Sequence, residues 1–219
     1  MSGPVIVINP NSNIAVTSGL DTALEGFRHS GMPAIECVTL KEGPFGIESQ
    51  LHAEQVVLPL ANYIQSRPDA AAFIIACYSD PGIDVCRSLS QVPVFGIQEC
   101  GVLTALSRGD RFGVIAIAEA SIQRHRRYLQ RLLLIDRLAS ERALNMTVDE
   151  SARGEHTFER LVETGALLIE DGADVLVLGC AGMAKYRRSL EQKLNCPIVE
   201  PTQAAVAMAI GFIACNADS

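Results

Sequence analysis

The sequence predicts an α/β protein made of two pseudo-symmetric halves, each a four-stranded parallel sheet flanked by helices, with the active site in the cleft between them. Short apolar runs alternate with longer amphipathic segments, which is typical of parallel sheets covered by helices on both faces. The later runs also repeat the earlier ones: AAFIIAC, ending at Cys77, matches DVLVLGC, ending at Cys180, and VPVFG matches CPIVE at a similar separation. Near-constant offsets of this kind favour a duplicated unit.

Four strands are predicted in each half, with a helix after each strand. The strands cover 4–9, 34–39, 71–76 and 93–96 in the first half, and 112–117, 143–148, 174–179 and 197–200 in the second. The helices cover 15–28, 49–66, 82–91, 98–107, 121–134, 156–171, 185–194 and 202–214. The boundary is placed so that residues 1–97 form the first half and residues 98–204 the second.

Composition excludes several classes of function. A formal net charge of −7 is unsuited to nucleic acid, and 48% apolar with 20% charged residues is the composition of a globular domain. No apolar run is long enough to span a bilayer, and we expect no secretory leader. Seven cysteines without a CxxC pair predict reduced thiols in the cytoplasm. No GxGxxG, P-loop or HExxH motif is present, so neither a cofactor nor a metal ion is expected.

Cys77 and Cys180 each end a predicted strand, and in open parallel sheets ligands bind outside the carboxyl ends of the strands. If the halves face each other, one thiol lies on either side of a ligand. Inversion of a carbon acid needs such a pair, because one thiolate removes a proton while the other thiol donates one to the opposite face. The thiol pKa must then fall from about 8.5 to about 7. A helix start, with Asp80 as N-cap and Pro81 as first helical residue, is expected to lower it.

Loops at other strand ends are candidate ligand contacts. In the motif INPNS, Pro10 ends the first strand, and Asn11 or Ser12 is expected to cap the next helix. A plain capping turn and a substrate-binding role are both compatible with that motif. The loop EGPFGIES at 42–49 either covers the cleft or is exposed. The glycines that flank Cys180 allow backbone N–H groups to approach a ligand closely.

Together these motifs resemble the aspartate/glutamate racemase superfamily, and within it the hydantoin and allantoin racemase branch. The resemblance rests on INPNS, GPFGIES, ACYSDPG, PVFGIQE, LGCAGMA and CPIVEP, which span nearly the whole chain. It implies a racemase that inverts a 5-substituted hydantoin or allantoin without cofactor or metal, with Cys77 and Cys180 as the catalytic pair. It also implies that a C-terminal helix, residues 205–219, packs back on the first half. The substrate-binding residues expected from the motifs and the resemblance are Pro10, Asn11, Tyr78, Ser79, Ala181 and Gly182.

Other activities stay open at the level of sequence. Glu119 stands where hydantoin racemases usually carry threonine, and an acid in the cleft would disfavour an anionic ligand. Within the superfamily the alternatives are an amino-acid racemase, a maleate isomerase or a decarboxylase, although the thiol of Cys77 speaks against the decarboxylases. Outside it, the same cleft would suit a non-catalytic ligand-binding protein or a redox-sensing dithiol.

The arginine-rich segment 124–137 is interpreted as a surface helix. Leu129, Leu132 and Leu133 form an apolar stripe at helical spacing, and the arginines are predicted on the other face, in solvent or against another subunit. The expected partners are a small-molecule substrate and further copies of the chain, with no nucleic acid and no membrane.

Overall fold

The computed structural model describes residues 3–154 and 156–216, and these form two four-stranded parallel sheets. The first sheet contains β1 (Val5–Asn9), β2 (Ile35–Thr39), β3 (Ala72–Ile75) and β4 (Val94–Gly96); the second contains β5 (Phe112–Ala116), β6 (Leu138–Ala143), β7 (Val175–Gly179) and β8 (Ile198–Val199). The strand orders are β2-β1-β3-β4 and β6-β5-β7-β8, so the second half repeats the first. The predicted fold class is confirmed.

Ten α-helices lie in the described part of the chain. They are α1 (Ile14–Ala23), α2 (Gln50–Gln55), α3 (Val57–Gln65), α4 (Ile83–Leu89), α5 (Ile97–Leu106), α6 (Glu119–Arg131), α7 (Val148–Arg153), α8 (Thr157–Glu170), α9 (Arg187–Leu194) and α10 (Pro201–Cys215). The predicted helix 49–66 is divided at Val56, because Pro59 has no N–H to donate to the carbonyl of Gln55. Within the described ranges, no helix combines the length and the apolarity needed to cross a membrane.

The first sheet is buried on both faces, as its unbroken apolar strands require. Along β1, Val5 and Val7 belong to the large core that continues into the second half. Ile6 and Ile8 belong to a separate core on the opposite face, where they pack with Phe73. Because neighbouring residues of a strand point to opposite faces, each of the four consecutive positions 5–8 of β1 needs an apolar side chain.

The sequence prediction is wrong for the sixth strand. It places the strand at 143–148, whereas β6 occupies Leu138–Ala143 at the edge of the sheet and pairs with β5 alone. Leu138 is the only fully buried residue of this strand, so no apolar run marks it. The apolar residues Leu144 and Val148 are buried after the strand has ended.

The C-terminal helix α10 lies against α5 and also contacts β1, β3 and β4 of the first sheet. It begins at Pro201 and ends at Cys215, whereas the predicted segment extends over 205–219, of which 217–219 lie outside the described residues. Glu200 caps it by accepting hydrogen bonds from the backbone of Thr202 at 3.1 Å and Gln203 at 2.7 Å. The division of the chain at residue 97 stays a prediction.

Asp80 connects the end of β3 to the start of α5. Its buried carboxylate accepts hydrogen bonds from the backbone N–H groups of Gln98 at 2.9 Å and Glu99 at 3.0 Å. The prediction that Asp80 caps the helix following it is therefore wrong, and Gly82, in the left-handed conformation (φ 67°), precedes α4 instead. A Cβ at Gly96 would overlap the carboxylate, so glycine is required there for the contact.

The titration of Asp80 gives a test of this packing. Burial raises its pKa to about 7, although the two backbone N–H groups favour the charged form. Because the ordinary pKa is near 4, the folded chain holds the proton more tightly, and the stability that this group contributes is lost as pH rises from about 4 to about 7. Urea titrations should show the unfolding free energy of wild type minus that of Asp80→Asn decreasing over this range. An increase over the same range would mean that the folded pKa is lowered instead.

Candidate active site

The carboxyl ends of β3 and β7 meet at a cavity of about 30 Å³. Cys77, which is half-buried, and Cys180, which is 8% exposed, line it from the first and second half respectively. Six of the eight predicted site residues line the cavity: Cys77, Cys180, Asn11, Tyr78, Ser79 and Ala181. The other two, Pro10 and Gly182, are buried beside lining residues without lining it themselves. The structure therefore brings both thiols to one place, while the roles of the eight residues stay predictions.

The two cysteines have matching backbone surroundings. In each half, the backbone N–H of the residue two positions further on, Ser79 or Gly182, lies near the sulfur and lowers the thiol pKa. The N–H three positions further on donates to the cysteine carbonyl oxygen, at 2.9 Å from Asp80 and 3.1 Å from Met183. Hydrogen bonds to sulfur favour the thiolate over the thiol, so both halves contain the same stabilising contact.

Burial nevertheless dominates the ionisation of both thiols. It raises the pKa of Cys77 to about 12 and holds the pKa of Cys180 above its ordinary value. The expected fall of the thiol pKa toward 7 at a helix start is wrong for this closed cleft, because α4 begins only at Ile83. The charge of Cys180 further raises the pKa of Cys77, whereas the guanidinium of Arg124 lowers it.

Ser151 on α7 is a site residue that the sequence reasoning missed. Its Oγ lies 3.7 Å from the sulfur of Cys180 and donates to the carbonyl of Val148 at 2.7 Å. Gly182 makes this approach possible, because a Cβ there would lie 2.5 Å from the Ser151 Oγ. The signal that could have located α7 is its capping box, in which Thr147 and Glu150 bond reciprocally.

Contacts between the two halves hold the cavity closed. Glu48 Oε1 accepts a hydrogen bond from the Val148 N–H at 3.1 Å, and Asn13 Nδ2 donates to Asp149 Oδ1 at 2.9 Å. Ile47 and Val148 line the cavity, so the EGPFGIES loop covers the cleft, which is one of the two alternatives that the sequence left open. One water molecule occupies about 30 Å³. The cavity must therefore widen before a ring-sized ligand can bind between the two thiols.

Asn11 is held in place by its neighbouring asparagines. Its Oδ1 accepts hydrogen bonds from Asn9 Nδ2 at 3.0 Å and from the Asn13 N–H at 2.9 Å. Asn11 lines the cavity, and no described residue accepts a hydrogen bond from its Nδ2, so this amide is available to a carbonyl oxygen of a ligand. The cap of α1 is Asn13, which accepts from Ala15 N–H at 3.0 Å, and the expectation of Asn11 or Ser12 as cap is wrong.

The start of α6 also faces the cavity, which corrects the interpretation of this segment as a surface helix. Ser121, Arg124 and His125 are buried and line the cavity, whereas Leu133 is 89% exposed beyond the end of the helix. His125 Nδ1 lies 2.5 Å from Glu141 Oε1, and both side chains are almost fully buried. Polar residues at positions i, i+3 and i+4 directly after a strand end are the signal that could have indicated this face.

Glu119 does not face the ligand cavity. Its side chain is exposed, and its backbone N–H donates to Asn145 Oδ1 at 3.3 Å. The sequence-based objection to an anionic ligand, that an acid at this position would repel it, therefore does not hold.

The contact between Ser151 and Cys180 predicts a difference in thiol reactivity. The Ser151 hydroxyl can turn its single proton from the Val148 carbonyl to the Cys180 thiolate and so lower the thiol pKa. Ser151→Ala removes this donor, so alkylation of Cys180 by iodoacetamide should slow about threefold to tenfold. Mass spectrometry of the modified peptides measures the rate at each cysteine. Ser107→Ala is the matched control, because exposed Ser107 makes the same type of bond, to the Thr104 carbonyl at 2.7 Å. An unchanged rate at Cys180 would show that Ser151 has no influence on its ionisation.

Comparisons with known proteins agree with this architecture and with the resemblance drawn from the motifs. The family model for Asp/Glu/Hydantoin racemase matches residues 5–209. A hydantoin racemase of Paenarthrobacter aurescens is 30% identical, over 96% of this chain and 91% of its own length. The structure of an allantoin racemase from Klebsiella pneumoniae superposes with a TM-score of 0.93 at 27% identity, covering 98% of this chain and 89% of that one. An allantoin racemase from Pseudomonas fluorescens gives 0.92 at 25% identity, covering 97% and 92%.

Proposed function

We propose that this chain, which belongs to the Asp/Glu/Hydantoin racemase family, is a racemase that inverts a 5-substituted hydantoin or allantoin with Cys77 and Cys180 as its acid–base pair. The observation that carries the proposal is that one thiol from each half lines the same cavity. The similarity to hydantoin and allantoin racemases supports the substrate class. A cytoplasmic location, a homo-oligomeric state and catalysis without cofactor or metal belong to the same proposal.

Inversion requires a proton to leave one face of the chiral carbon and another to arrive at the opposite face. One sulfur, as thiolate, takes the proton, and the electron pair of the C–H bond moves onto the adjacent carbonyl oxygen. The free Nδ2 group of Asn11 is a donor suited to that oxygen. The other sulfur, as thiol, then gives its proton to the far face, and the two cysteines have exchanged states. The product enantiomer is a substrate for the reverse reaction.

Two of the alternatives, a decarboxylase and a binding protein, account for fewer of the observed contacts. A decarboxylase with one thiol leaves the second thiol without a role. A binding protein without turnover has no use for backbone donors directed at both sulfurs. Because repulsion between the charges of Cys77 and Cys180 disfavours ionisation of both, a thiolate on one cysteine is paired with a thiol on the other, as inversion requires.

Racemisation in deuterated water tests the proposal. An optically pure 5-substituted hydantoin or allantoin should lose its optical rotation while gaining deuterium at the chiral carbon. Cys77→Ser and Cys180→Ser should each lower the racemisation rate at least about a hundredfold, since a hydroxyl is a far weaker acid than a thiol. Cys215→Ser, at an exposed position far along the chain, is the control and should racemise at the wild-type rate. Full rotation retained by several such substrates with the wild-type protein would contradict the proposal.

A further inference from the structure

Arg124 lies at the junction between the cavity and a larger open groove. The groove has a volume of about 370 Å³ and shares Ser79 and Arg124 with the cavity as lining residues. Arg124 Nε donates to Ser79 Oγ at 3.4 Å, and Nη1 donates to the Ala120 carbonyl at 3.1 Å. The guanidinium therefore lies between the cavity and the groove. If a ring is held between the two thiols, a substituent that extends toward the groove passes this guanidinium.

The charge of this guanidinium is buried without a carboxylate partner. Arg124 is 9% exposed, and among the residues that the structure describes it forms no ion pair. More exposed arginines do have partners: Arg142 pairs with Asp171 at 2.7 Å, and Arg187 with Glu191 at 2.9 Å. A buried charge without a carboxylate partner is costly, and the only anion that the described residues bring near this guanidinium is the Cys77 thiolate, which is a thiol for part of the proposed cycle.

The acids that line the groove are already engaged elsewhere. Asp80 accepts from the backbone at the start of α5, Asp84 pairs with Arg131 at 2.7 Å, and Glu54 accepts from Gln50 at 2.7 Å. None of these contacts involves Arg124. Arginine binds carboxylates strongly through its planar set of N–H donors, which identifies the kind of anion that suits this position.

We propose that Arg124 binds a carboxylate on the substrate, so that this racemase acts on a ring ureide with an anionic substituent in preference to a neutral one. The inference rests on the proposed racemase function and narrows its substrate class. Ring and chiral carbon lie between the thiols, and the substituent extends past Ser79 to the guanidinium. Arg124 is then a specificity-determining residue that touches the substrate away from the reacting carbon.

A pair of nearly isosteric substrates tests this specificity. Wild-type protein should racemise hydantoin-5-propionic acid with a kcat/KM at least about tenfold higher than that for the corresponding propionamide. In Arg124→Gln the ratio should fall to near one, whereas Arg124→Lys should keep part of the preference. Arg126→Gln, exposed on the same helix, is the matched control and should keep the wild-type ratio. A wild-type ratio near one, or equal losses for both substrates in Arg124→Gln, would overturn the proposal.

Thiol alkylation provides a second measurement that does not depend on racemase activity. Cys77 should favour iodoacetate over iodoacetamide at least about tenfold more than exposed Cys215 does in the same molecule. Arg124→Gln should remove this difference. If racemisation fails with both hydantoins but the anion preference at Cys77 is present, the racemase proposal is wrong and the anion site stands. Equal preferences at Cys77 and Cys215 in the wild type would exclude the anion site, even if the Arg124 variants failed to fold.

Discussion

The cleft depends on two sulfur atoms that line one cavity and repel each other when both are charged. The pKa of Cys77 is raised to about 12, mainly because the thiol is removed from water. Repulsion from a charge on Cys180 contributes to the same increase. Other groups lower the thiol pKa values. The backbone N–H of Ser79 and the guanidinium of Arg124 lower that of Cys77, and the backbone N–H of Gly182 lowers that of Cys180. The balance disfavours double ionisation, so a thiolate formed on one sulfur faces a thiol on the other, which is the combination that two-sided proton transfer uses.

Because the α/β unit is duplicated, the backbone around the two sulfurs is similar. The side chains around them differ. The common strand order brings the carboxyl ends of β3 and β7 together, and the turn after each strand is the same. The charged neighbours differ: Arg124 favours the charge on Cys77 and Asp80 disfavours it, whereas Glu48 and Glu200 disfavour the charge on Cys180. The two directions of inversion therefore start from sulfurs in unequal electrostatic surroundings.

Much of this architecture could be predicted from the sequence. A sheet that is buried on both faces requires apolar strands, and duplication of the α/β unit places a cysteine at the equivalent strand end of each half. The edge strand β6 could not be predicted, since the polar residues Ser140 and Glu141 interrupt any apolar run in it. The sequence predicts Asp80 as the cap of the nearest helix, whereas it caps one that begins 17 residues later at Ile97. It predicts Arg124 in solvent or against another subunit, because arginines are usually exposed. Long-range contacts of this kind leave no periodic pattern, although the capping box at Thr147 did mark α7.

Proton exchange in single-cysteine variants tests most directly whether the two thiols lie on opposite faces of the substrate's chiral carbon. With one thiol replaced, the remaining thiolate still removes a proton from its own face and returns deuterium to that face without inversion. Cys77→Ser should therefore exchange the chiral proton of one enantiomer of a hydantoin, and Cys180→Ser that of the other, as followed by proton NMR in deuterated water. Exchange of the same enantiomer by both variants would place the two thiols on one side of the substrate and contradict the account.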